Sequence, residues 1–142
     1  MNKSSSIKAA RIVWIACTVI IVLWWCLVDE YLVDVSTISP TVRYALSFLG
    51  MVLTFGGFYL VVSAHRLKAW RKAVGTSARG FLMTGSLQAI VILTGICTNI
   101  AVYHIAYDLG SKMCMCVGAA ALAMCFPTQK AYDKYLDHKQ AQ

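Results

Sequence analysis

The chain has 142 residues, 59% of them hydrophobic and 13% charged, with a formal net charge of +7 and a mean hydropathy of +0.66. Soluble domains average roughly 45–50% apolar and about 25% charged residues, so an ordinary soluble fold is excluded. The basic excess would suggest a nucleic-acid partner in a soluble protein, but here it is grouped in blocks between long stretches that carry no Asp, Glu, Lys or Arg. These stretches are 12–28, 44–64, 81–107 and 113–129. A membrane span needs roughly 20 apolar residues, which predicts an all-α membrane protein. The expected fold is one domain over 1–142: four transmembrane helices in an antiparallel bundle, both termini cytoplasmic.

The first eight residues are polar and expected to fray. The first helix is expected over 9–28. Lys3, Lys8 and Arg11 ahead of it resemble the basic start of a secretory signal, but the apolar run is too long and no small-residue cleavage site follows. Trp25 directly before Cys26 does not suit a lipoprotein site either. Trp14 lies near one end and Trp24 and Trp25 near the other, as in the aromatic belts at membrane surfaces. The remaining Ile, Val and Leu predict a largely lipid-facing helix.

Ser39 and Pro40 mark the next start, as N-cap and first helical residue, ahead of a span over 44–64. Ser47, Gly50, Thr54, Gly57, Val61 and Ala64 recur at spacings of three and four. In lipid, helices associate through close backbone approach and interhelical hydrogen bonds, which small residues permit. This face is therefore expected to be a packing seam. The segment after it contains Arg66, Lys68, Arg71, Lys72 and Arg79 with no acid, a candidate contact with lipid head groups or a docking partner.

The third helix, 78–107, is the most polar. Thr84, Gln88, Gly95 and Asn99 fall on one stripe, within about 40° of Gln88 at 100° per residue. Amides in hydrocarbon need partners, so Thr84, Gln88 and Asn99 are the candidate polar intramembrane residues, as interhelical glue or as the lining of a path. The fourth helix, 111–126, places Cys114, Gly118, Ala121 and Cys125 on one small-residue face, a second seam expected to meet the second helix. After Pro127, residues 128–142 predict a cytoplasmic amphipathic tail, with Ala131, Tyr132, Tyr135 and Leu136 on its apolar edge.

Lys3, Lys8, Arg11, Arg66, Lys68, Arg71, Lys72, Arg79, Lys130, Lys134 and Lys139 all fall on one side of such a bundle, and only Arg43 and Lys112 on the other. Basic residues concentrate on the cytoplasmic face. The steepness of the bias and the compact layout suggest a bacterial inner (cytoplasmic) membrane.

Chemistry-bearing patterns are sparse. The six cysteines include no C-x-x-C pair, and Cys114 and Cys116, two apart on a helix, point in nearly opposite directions. Cys26 and Cys114 share the outer side and can pair only if their helices abut. His65 and His104 lie at opposite ends of a roughly 30 Å core, and His138 is in the tail, so no shared haem or metal is expected. No H-E-x-x-H, G-x-S-x-G or phosphate loop occurs, and no Asp or Glu lies within a span. The expectation is a small non-enzymatic membrane protein without cofactor or metal, acting through helix packing. Its partners would be the lipid bilayer and a homo-oligomer or larger membrane complex, with no nucleic acid. Two alternatives stay open: a minimal oligomeric transporter or channel using the stripe on the third helix, and a membrane thiol or metal-binding protein.

Overall fold

A computed structural model of the chain describes residues 3–31, 39–63, 77–106 and 109–137. These form five helices: α1 (Lys3–Tyr31), α2 (Pro40–Ser63), α3 (Ala78–Ala106), α4 (Leu109–Met124) and α5 (Gln129–Asp137). No strand occurs among the described residues.

The helix ends follow local chemistry. At α2, the Val42 and Arg43 amides donate to the Ser39 carbonyl at 3.1 and 3.2 Å, and Pro40 occupies the first position, where its missing N–H costs nothing. Ser77 caps α3, its Oγ accepting from the Gly80 amide at 3.2 Å. Thr128 caps α5 in the same way, through the Ala131 amide at 3.1 Å. Both satisfy amides that a helix start leaves unbonded. Pro127 disfavours helical geometry at Phe126, and α5 departs from α4 at 75°.

Three helices, α1 to α3, are long and apolar enough to cross a membrane, and α4 with α5 makes a fourth span if the bent pair is counted as one. Alone, α4 has 16 residues and rises about 24 Å, short of a roughly 30 Å hydrocarbon core.

The packing centres on α3, which touches α1, α2 and α4, while α2 also packs on α4. Within their apolar windows, α1 and α2 are 11% and 17% buried and α3 is 39% buried. The helix that carries the amides of Gln88 and Asn99 is thus the one enclosed by the others, as amides in hydrocarbon require. The larger core joins Cys17, Ala89, Ile92, Ile96, Ile100, Met115, Ala121 and Leu122. A second cluster joins Ile7, Ala10, Phe81, Tyr132 and Tyr135 where α5 folds back.

This second cluster corrects the expected frayed N-terminus. Helix α1 begins at Lys3, Ser6 and Ile7 are buried, and Lys3 forms an ion pair with Asp133 of α5. Contacts with α3 and α5 order the first turns, a tertiary effect that local polarity does not report.

Candidate functional site

The polar stripe of α3 separates into two parts. At its C-terminal end, Asn99 is fully buried. Its Nδ2 lies 3.0 Å from the Gly50 carbonyl, 2.8 Å from Thr54 Oγ1 and 2.7 Å from the Gly95 carbonyl. The Thr54 hydroxyl donates to the Gly50 carbonyl at 2.9 Å, leaving its lone pairs facing the amide. Asn99 Oδ1 has no hydrogen-bond partner and lies against Gly50, where an added Cβ would come within 2.8 Å of it.

Small residues make this approach possible. A Cβ on Gly95 would meet the Thr54 backbone nitrogen at 3.1 Å and the Leu53 carbonyl carbon at 3.2 Å. On Gly57 it would come within 3.1 Å of Ile92 Cγ1, and on Gly118 within 2.6 Å of Ile96 Cγ1. The seam residues Gly50, Thr54 and Gly57 therefore face α3. Ser47 is half-buried at the upper end of that line.

The second seam, Cys114, Gly118 and Ala121 on α4, is also buried, with Cys125 half-buried at its end. Its nearest neighbour at Gly118 is Ile96 of α3, with Thr54 of α2 next at 3.7 Å from the added Cβ. The expected contact of α4 with α2 is thus a three-helix junction at which α3 supplies the closest atoms. Sequence reasoning paired the two small faces directly because each reads as a groove. The two faces do meet, Thr54 standing against Gly118, but Ile96 packs closer still, and its position follows only from how α3 rotates.

The other part of the stripe lies toward the α1 N-terminus. The Thr84 hydroxyl donates to the Gly80 carbonyl at 2.8 Å. Thr84 and Gln88 border a cavity of ≈ 80 Å³, roughly the room for a few waters. Trp14, Phe81, Phe126 and Tyr135 supply its aromatic walls. The bend at Pro127 closes this end, and α1 fastens it: Arg11 Nε donates to the Pro127 carbonyl at 3.1 Å and Trp14 Nε1 to the Leu122 carbonyl at 2.8 Å.

The indoles therefore do more than line a belt. Trp24 Nε1 donates to the Cys97 carbonyl of α3 at 3.0 Å, and the Trp25 ring packs edge-on against His104 at 5.5 Å. Aromatic position in the sequence signalled the membrane ends but not these partners, which depend on which face of α1 meets α3. Beside Trp25, His104 Nδ1 sits 3.9 Å from Asp29 Oδ1.

The cysteines and methionines of residues 113–124 lie on different faces of their helix. Cys114 and Met115 are buried, whereas Cys116, Met113 and Met124 are exposed. All six cysteines are free thiols. No three His, Cys, Asp or Glu side chains among the described residues converge on one point. Of the basic docking candidates, Arg79 is exposed, while Arg66, Lys68, Arg71 and Lys72 lie outside the described residues, as do His65 and His138.

Comparison with known proteins gives no match: no family model, curated protein or solved structure matches the chain.

Proposed function

We propose that the chain is a non-enzymatic subunit of a bacterial inner membrane. It forms an antiparallel four-helix bundle with both termini cytoplasmic and assembles, with itself or within a larger membrane complex, through helix packing. Several contacts support the bundle. Gly57 meets Ile92 and Gly50 meets Asn99, an order that runs α2 against α3. Trp24 meets Cys97 and Asp29 meets His104, which runs α1 alongside α3. The Lys3–Asp133 pair, which joins the start of α1 to α5, also supports it.

The observation that carries the interaction reading is the outer face of α2. Ala45, Leu49, Val52 and Gly56 follow spacings of four, three and four and are all exposed, flanked by exposed Phe48 and Phe55. A Cβ on Gly56 would meet nothing within 4 Å. A small notch beside two phenylalanines offers a helix both a close approach and aromatic area to pack on. Purification in mild detergent followed by native mass spectrometry tests this: a dimer, higher oligomer or stable partner is expected, and a lone monomer contradicts it.

A second reading, a minimal oligomeric transporter, is favoured by the cavity that Thr84 and Gln88 border. It predicts that Gln88→Leu reduces flux in reconstituted vesicles. A change in stability alone leaves Gln88 as packing.

A further inference from the structure

A second concavity lies on the outer side of the α1 N-terminal turns, a groove of ≈ 350 Å³ lined by Lys3, Ser4, Ile7, Lys8, Arg11 and Gln129. Three of its six lining residues are cationic. Asp133 is paired with Lys3, and among the described residues no carboxylate pairs with Lys8 or Arg11. Arg11 is held in place: its Nε is bound to the Pro127 carbonyl and its guanidinium lies 5.6 Å above the Phe126 ring. That bond leaves the two terminal guanidinium nitrogens, the pair that matches phosphate oxygens best. The Ser4 hydroxyl and Gln129 amide add neutral donors.

The groove's position is as informative as its charge. Arg11 is the last charged residue before the charge-free run, so the groove stands at the membrane boundary. Below Lys8, at spacings of four, three and four, come Ile12, Ile15 and Val19, exposed at 67%, 53% and 49%. This apolar track extends about 16 Å below Lys8 at 1.5 Å per residue, close to the roughly 15 Å of one leaflet's hydrocarbon. Cations above an exposed apolar track are complementary to a phosphate with acyl chains beneath it.

We propose that this groove binds the phosphate of an anionic phospholipid, with Lys8 and Arg11 as its principal ligands and the lipid's chains lying along Ile12, Ile15 and Val19. The test uses the full purified chain in detergent. It is titrated with phosphatidylglycerol and with phosphatidylcholine of identical acyl chains, and bound lipid is counted by native mass spectrometry. Phosphatidylglycerol should be retained over phosphatidylcholine. Lys8→Gln should reduce that retention about fivefold and Lys8→Glu should reduce it further. Lys134→Gln, the same charge loss on an exposed residue of α5 outside the groove, should leave it unchanged. Circular dichroism on each variant confirms the fold. Equal retention of the two lipids, or equal losses from Lys8→Gln and Lys134→Gln, would overturn the site. Displacement of phosphatidylglycerol by millimolar inorganic phosphate would overturn the lipid assignment and leave a site for soluble phosphate.

Discussion

Asn99 of α3 and Gly50 of α2 are locked together: the amide nitrogen lies 3.0 Å from the glycine carbonyl, and its oxygen occupies the space a Gly50 side chain would need. The two residues therefore depend on each other, and this has a measurable signature. Asn99→Ala should cost about 1 kcal/mol of stability in bicelles or micelles. Gly50→Ala should cost about 1–3 kcal/mol through overpacking. In the Asn99→Ala background the Gly50→Ala penalty should largely disappear, because the obstructing atoms are gone. Strictly additive losses in a double-mutant cycle would show that the pair is not coupled.

The glycines should divide by what surrounds them. Gly118→Ala places a carbon 2.6 Å from Ile96 Cγ1, near the root of that side chain, and should destabilise the protein by about 1–3 kcal/mol. In an Ile96→Ala background, itself destabilised, the Gly118→Ala penalty should shrink. Gly85→Ala and Gly56→Ala meet nothing within 4 Å and should be neutral or slightly stabilising in the isolated chain, since alanine favours the helix. Thermal unfolding of the variants separates these outcomes.

The proposed packing role of Cys114 and Cys125 has a direct test. Cys114→Ala and Cys125→Ala should fold and melt close to the parent chain. Leucine at either position should destabilise it, more so at Cys114, which is only 5% exposed and has no room for two further carbons. Tolerated leucines together with damaging alanines would point back to a thiol or metal role.

The clasp between α1 and the α4–α5 bend should behave as a unit. Trp14→Phe keeps a ring against Phe126 but removes the N–H that reaches the Leu122 carbonyl. It should cost about 0.5–1.5 kcal/mol and increase amide exchange in α5. The Lys3–Asp133 pair is half-exposed on both sides, so Lys3→Ala should cost less than about 1 kcal/mol, an effect that shrinks as salt is added. Unchanged exchange in α5 after Trp14→Phe would show that α5 docks independently of α1.

How far these features can be read from the sequence depends on the physics behind each. The apolar stretches and the Gly50–Thr54–Gly57 line are legible because membrane thickness and close helix approach act on composition and spacing alone. Asn99 stands out for a similar reason, since an amide in a span must find acceptors. Ser77 and Thr128 also carry a readable cap signal, a hydroxyl three residues before the amide it accepts from. The early start of α1 is not legible, because the order of Ser6 and Ile7 comes from Phe81, Tyr132 and Tyr135, which are distant in the chain. Nor are the carbonyl partners of Trp14 and Trp24, or the close approach of Ile96 to Gly118. Each depends on how one helix is rotated against another, and weakly amphipathic membrane helices do not encode that rotation in their hydrophobic pattern.

In the proposed assembly the outer face of α2 meets another protein helix in the membrane. A photo-crosslinking amino acid placed at Phe55, beside the Gly56 notch, tests it most directly in native membranes, with Ile20 on the exposed face of α1 as the comparison. A protein adduct of defined mass is expected from position 55, weakened by Gly56→Leu, and none of that mass from position 20. Crosslinks from position 55 to lipid alone, or adducts indifferent to Gly56→Leu, would contradict it.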